Sequence, residues 1–315
     1  MLAVVEITLW HWVGFIGGVL IFVLLDLFVF HRQAAVVTFK NALGWTGVFF
    51  VLAMLFGAAL VPMRGREEAM EFVTGYIIEL SLSMDNVFVI ALIFSYFRVP
   101  PEYQHRVLFI GFINALIMRG VMIGLGTALV ARFHWVLYAL GAFLIYSGVK
   151  MIFSAETGVH PEHNPVIKLA QRLFPVSSNY EKTRFLTRID GRLALTPLAL
   201  VWLMVETTDL VFAVDSIPAI LAITTKPFIV FTSNIFAILG LRSLYFVLVA
   251  MIEYFRYLKF GLSLVLVFIG AKMVAEIWHW KIPTVWSLVI VAAIIVLSML
   301  ASLLLVKRGP GPPTP

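Results

Sequence analysis

Residues 205–220 read VETTDLVFAVDSIPAI, with three carboxylates, Glu206, Asp209 and Asp215, set into an otherwise almost wholly apolar run. A carboxylate held at the centre of a bilayer costs on the order of 2.5–3.5 kcal/mol, so three in one segment nearly cancel what its apolar residues gain. They must face one another, a cavity or a cation.

The run extends over residues 194–223, and eight more accompany it: 8–30, 42–62, 72–97, 106–131, 135–154, 228–250, 258–278 and 283–306. At 1.5 Å per residue, about 20 residues cross a hydrocarbon layer of ~30 Å. The 315-residue chain is 62% hydrophobic and only 13% charged, against about a quarter charged in soluble domains, which is too much apolar surface for a water-soluble fold. The sequence therefore predicts an all-α, polytopic transmembrane protein. A single membrane domain over 1–315 would hold about nine transmembrane helices, with a polar cytoplasmic loop at 155–193 and a disordered Pro/Gly-rich tail at 307–315. The first run is too long for a signal-peptide core, and Met1 to Thr8 carries Glu6 but no Lys or Arg, so this run is expected to stay in the mature chain.

The net charge of +6 matters here by its placement. With the N-terminus outside, fourteen Lys/Arg fall in cytoplasmic segments and five in external ones, which predicts an external N-terminus and a cytoplasmic C-terminus in a bacterial inner membrane. The expected surroundings are lipid, not nucleic acid. There is no cysteine, which excludes disulfides, thiolate chemistry and soft Cys metal sites.

Spans three to five and six to eight share an order of landmarks. ELSLSMDNVFVIALI (79–93) resembles DLVFAVDSIPAILAI (209–223), matching Glu79 with Asp209, Asp85 with Asp215 and Asn86 with Ser216. Downstream, NALIMR ending at Arg119 matches AILGLR ending at Arg242, and GVKM with Lys150 matches GAKM with Lys272. Each unit, 72–154 and 194–278, has three spans, an odd number, so the second enters the membrane from the opposite side. Such a three-plus-three inverted repeat is common in secondary transporters, with substrate sites near the midplane where the repeats meet.

At ~100° per residue, Glu206 and Asp209 lie adjacent on one helix face, whereas Asp215 points elsewhere. Pro218 is expected to loosen the turn holding Asp215 and Ser216 and so bring the acids together. Carboxylates beside freed carbonyls suit a hard divalent cation such as Mg²⁺, Ca²⁺ or Mn²⁺. The expected ligand set is Glu79, Asp85, Glu206, Asp209 and Asp215, with Asn86, Ser216, Asn114 and Asn234 as supporting polar groups. Ser81 and Ser83 add oxygens, and Met84 is expected to pack as an ordinary apolar residue. Arg119, Arg242, Lys150 and Lys272 balance charge, the two lysines near span ends where they can snorkel.

Two enzymatic readings fail. Intramembrane aspartyl proteases carry a GxGD element, absent here, and no GxxxxGK[ST] phosphate loop supports ATP drive. In the loop, His160, Glu162 and His163 have a metal-ligand spacing but read more simply as solvated polar residues, and the loop's basic residues suit anionic lipid headgroups or topology.

ELSLSMDNVFV, VETTDLVFAVDSIPAI and TSNIFAILGLRSLYF (232–246) closely resemble the TerC family of integral membrane proteins, and the long central loop resembles its Alx type. The family is named for tellurium resistance, and its Alx-like members are implicated in manganese homeostasis. The resemblance implies Mn²⁺ export, with the work done by Glu79, Asp85, Glu206, Asp209 and Asp215. The expectation is a secondary transporter with no permanently bound cofactor, Mn²⁺ as the transported substrate and protons as the exchanged ion. A membrane assembly or metallation factor, and an exporter of another cationic solute, are the competing readings. Metal selectivity, coupling stoichiometry and oligomeric state are open at this level.

Overall fold

The computed structural model describes residues 7–25, 39–153, 164–189, 191–250, 258–278, 280 and 282–305, with Leu24, Leu25, Arg242, Leu258, Leu303 and Leu305 described by their backbone alone. The chain is helical almost throughout, in ten α-helices among these residues: α1 Leu9–Leu25, α2 Phe39–Arg64, α3 Arg66–Tyr96, α4 Pro101–Arg132, α5 Trp135–Phe153, α6 Pro165–Leu173, α7 Pro197–Leu221, α8 Pro227–Ala250, α9 Leu258–Ala275 and α10 Thr284–Leu305. Four of them, α4, α6, α7 and α8, begin on a proline, which has no N–H to leave unpaired in the first turn. Thr196 caps α7 by accepting from the Ala199 N–H.

Seven helices, α2, α3, α4, α5, α7, α9 and α10, are long and apolar enough to cross a membrane, and α8, bent by 55° around residue 242, makes an eighth. Over the described residues α1 is shorter, at 17 residues. The protein is an all-α polytopic membrane protein with seven to eight candidate spans, where the sequence predicts about nine. Large apolar residues such as Leu125, Tyr146, Val211 and Leu297 are more than half exposed, which in a bilayer is the lipid-facing surface.

Inside the bundle α3 packs on α8, α2 and α7, α4 packs on α7, and α5 packs on α9. The α5/α9 crossing is a close one. A Cβ on Gly141 would meet the Gly270 carbonyl oxygen at 3.1 Å, and one on Gly148 would meet the Ser263 carbonyl oxygen at 2.8 Å. Because the later residue of α5 meets the earlier residue of α9, the two helices run antiparallel. Small residues at such a crossing let backbones approach where lipid supplies no hydrophobic drive.

The central loop is more ordered than a polar connection. Helix α6 lies along α7, with Ile167 buried against Ala199 and Leu200. A two-stranded antiparallel hairpin, β1 Leu186–Ile189 and β2 Arg192–Leu195, follows it, turning through Gly191 at a φ of 77°. Tyr180 donates to the Phe97 carbonyl at 2.8 Å and Arg106 to Thr183 at 2.7 Å, which fastens the loop to the α3/α4 connection. His160, Glu162 and His163, and the tail at 307–315, lie outside the described residues.

Candidate cation site

Helix α3 carries Glu79 and α4 carries Arg119 into the middle of the bundle, where their side chains are 1% and 2% exposed and form an ion pair. The Arg119 Nη1 also donates to Asn234 Oδ1 at 2.9 Å, and Asn234 Nδ2 donates to Glu79 Oε2 at 3.1 Å. Ser83, one turn along α3, donates to Glu79 Oε1 at 3.4 Å. On the other flank of the same guanidinium stands Asp209 of α7, its Oδ1 3.8 Å from Nη2. Four helices thus converge on one buried arginine.

A second grouping lies between α3, α7, α5 and α9. Asp85 makes no hydrogen bond or salt bridge among the described residues, but it stands within electrostatic reach of Asp215 on α7 and Lys259 on α9. Asp215 accepts from Ser147 Oγ at 2.9 Å and faces the charge of Lys150. Beside these acids Asn86 and Ser216 are buried, and the Asn86 Nδ2 and Ser216 Oγ have no hydrogen-bond partner. Buried polar atoms are ordinarily paired, so an unpartnered amide N–H and hydroxyl in the residues that follow the two acids are exceptions to the packing of α3 and α7.

Glu206 forms a third point. Its Oε1 accepts from Trp202 Nε1 at 2.7 Å, one turn earlier on α7, and from Asn114 Nδ2 on α4 at 3.0 Å. The Ser81 hydroxyl turns back to the Ile77 carbonyl at 2.6 Å and is occupied there. Met84 packs against the apolar clusters on both sides of α3, as expected.

The expected break at Pro218 does not occur. Helix α7 is continuous to Leu221, because Pro218 sits in its last turn, where one missing N–H removes a single bond. The unbroken helix keeps the ideal-helix geometry, in which Glu206 and Asp209 turn to α4 and Asp215 turns to α5. The five acids are therefore distributed over three neighbouring groupings. Among the described residues no three Asp, Glu or His side chains gather closely enough to hold a metal ion by themselves.

Of the four bases, Arg119 is buried at the centre, Lys150 is exposed beside the Tyr146 ring, and Lys272 is buried near the end of α9, facing Glu276 and Glu71. The Arg242 side chain lies outside the described residues. Sequence reasoning missed Ser147, Trp202 and Lys259. Trp202 was detectable as the residue one turn before Glu206, whereas Ser147 and Lys259 meet their acids only through tertiary packing. It also missed a cluster at the opposite end from the central loop, where Lys226 at the start of α8 meets Glu68 at 3.3 Å and Glu71 at 3.1 Å, and Arg64 holds Glu68.

A bundle of membrane-spanning helices with carboxylates and one arginine buried at its core defines an integral membrane protein organised around internal charge. Residues 64–309 match the family described as "Integral membrane protein TerC family". The chain belongs to that family. It is 50% identical over 299 residues to a membrane protein of Myxococcus xanthus, covering 95% of this chain and 93% of the relative. It is 44% identical over 299 residues to a protein of Escherichia coli K12 named as a candidate membrane-bound redox modulator, Alx, covering 92% of each chain. The Salmonella typhi protein of the same name is 44% identical over 298 residues, covering 91% of this chain and 92% of the relative. No solved structure matches the chain.

Proposed function

We propose that this protein is a secondary transporter of the bacterial inner membrane that exports divalent metal cations, Mn²⁺ foremost, in exchange for protons. The observation that carries the reading is the Asp85/Asp215 grouping. Two carboxylates from helices α3 and α7 lie within reach of each other's charge, and the hydroxyl of Ser216, the residue after Asp215, is buried without a partner and able to present an oxygen. A hard dication accepts two carboxylates together with neutral oxygens and retained water, so the site does not require a third acid. In this reading Asp85 and Asp215 are the core ligands, Glu79 and Asp209 their partners or proton carriers, and Glu206 a gate or second site. Asn114 and Asn234 orient the acids, and Arg119, Lys150 and Lys272 balance charge.

The matched positions of the two acid motifs, and the antiparallel α5/α9 crossing in which Gly148 and its sequence match Gly270 each abut the other helix's backbone, support an inverted repeat. With α1 crossing as a ninth span from an external N-terminus, the central loop and the C-terminus face the cytoplasm. Exporting a dication against an inside-negative potential costs about 4.6 kcal/mol per 100 mV, and protons entering on the same carboxylates supply that drive. The redox role in the names of the Alx relatives fits a metal exporter better than a thiol enzyme, because this chain has no cysteine. In this reading the role is non-enzymatic.

Mn²⁺ uptake into inverted membrane vesicles tests the coupling. It should collapse when the pH gradient is dissipated. Uptake that ignores the gradient would point to another counter-ion, and bound but unmoved Mn²⁺ to a metallation factor.

A further inference from the structure

Arg119 is unevenly satisfied. A guanidinium has a side-on fork, Nε with Nη2, that grips a carboxylate through two parallel bonds. Arg64 shows the fork closed in this protein, with Nε at 2.7 Å from one Glu68 oxygen and Nη2 at 2.9 Å from the other. Arg119 closes no such fork on Asp209: Nη2 stops 3.8 Å from Oδ1, while Nε and the Asp209 Oδ2 are both buried and have no hydrogen-bond partner. One donor of the guanidinium and one acceptor of the neighbouring carboxylate are thus unused, and meanwhile Nη1 serves Glu79 and Asn234.

The two acids are also the matched residues of the two motifs, Glu79 opening ELSLSMD and Asp209 opening DLVFAVD. One positive charge lies between two carboxylates related by the repeat, bonded to one and aimed at the other. When both acids are ionised the trio lacks one positive charge in a site closed to water, which makes it receptive to a proton or a cation.

We propose that Arg119 is a tethered cation shared between Glu79 and Asp209, able to pair with one while releasing the other. The consequence for function rests on the transport reading: the released carboxylate is the one available to the exported cation or to a proton, so the arginine keeps both acids from being vacant together. Asn234, which bridges Arg119 and Glu79, marks the Glu79 side of the exchange.

The test is a thermal-unfolding cycle on the purified full chain in nanodiscs, which needs no metal. Glu79→Gln and Asp209→Asn should each fold and lose little, because Arg119 takes the remaining carboxylate. The double variant should lose more than the two single losses added. Adding Arg119→Gln to the double variant should recover most of the loss, and this triple variant decides the matter if the double does not accumulate. The proposal is overturned if Glu79→Gln alone is as damaging as the double, if the losses simply add, or if the triple variant also fails to fold. Absence of Mn²⁺ flux from wild-type vesicles would remove the transport reading and leave the exchange of partners standing.

Discussion

Gly270 of α9 lies against Gly141 of α5 so closely that a Cβ at Gly270 would fall 2.5 Å from the Gly141 carbonyl oxygen and 2.9 Å from the Ile145 nitrogen. Both obstacles are backbone, which cannot rotate away, so Gly270→Ala must push the helices apart. The expected loss is about 1–3 kcal/mol, read from thermal unfolding in detergent. Gly124→Ala on α4 is the control: no atom lies within 4 Å of its added Cβ, and the better helix former should stabilise by about 0.4–1 kcal/mol.

Arg119→Gln removes the only positive partner that Glu79 has among the described residues, leaving a carboxylate in a site 1% exposed. Breaking one side of a buried pair costs about 3–5 kcal/mol, so the single variant should melt far below wild type. Glu79→Gln combined with Arg119→Gln should regain only part of that stability, because Asp209 keeps its charge without the guanidinium beside it. Equal melting temperatures for the single and the pair would show that the charge was not the cause.

Ser147→Ala deletes the hydroxyl that donates to Asp215 Oδ1 at 2.9 Å. A hydrogen bond to a charged group contributes about 1.5–3 kcal/mol, so the apparent Mn²⁺ affinity should weaken tenfold or more if Asp215 binds the ion in that orientation. Ser147→Thr keeps the donor and should retain affinity. Titration of Mn²⁺ onto purified protein separates the two variants without a transport assay.

Glu206→Gln keeps an oxygen for Trp202 and Asn114, so folding should stay within about 0.5 kcal/mol of wild type. Its lost charge should raise the KM for Mn²⁺ flux about tenfold, equivalent to ~1.4 kcal/mol. An unchanged KM would remove Glu206 from the ion path.

The helices were legible because length and hydropathy alone set a membrane span: α2, α5 and α7 to α10 begin and end within about three residues of the expected runs, whereas α3 and α4 begin six and five residues earlier, at polar first turns that hydropathy does not register. The buried acids were legible for a related reason, since a carboxylate among apolar residues is costly unless it has a partner. Which partner it has was not legible. Glu79 and Asp209 share Arg119, and Asp215 takes Ser147, through contacts between helices distant in sequence. Pro218 misled because its effect depends on position: in the last turn of α7 it ends a helix instead of breaking one. The short elements of the central loop escaped because α6 is only 9 residues long and each strand of the hairpin only 4, too short for periodicity to register.

The most direct measurement is radiolabelled Mn²⁺ flux in proteoliposomes holding the purified chain, beside Asp85→Asn and Asp215→Asn, with a pH gradient imposed. The account predicts gradient-dependent flux from wild type and none from either variant, both variants remaining folded. No flux from well-folded wild type, or undiminished flux from both variants, would contradict it.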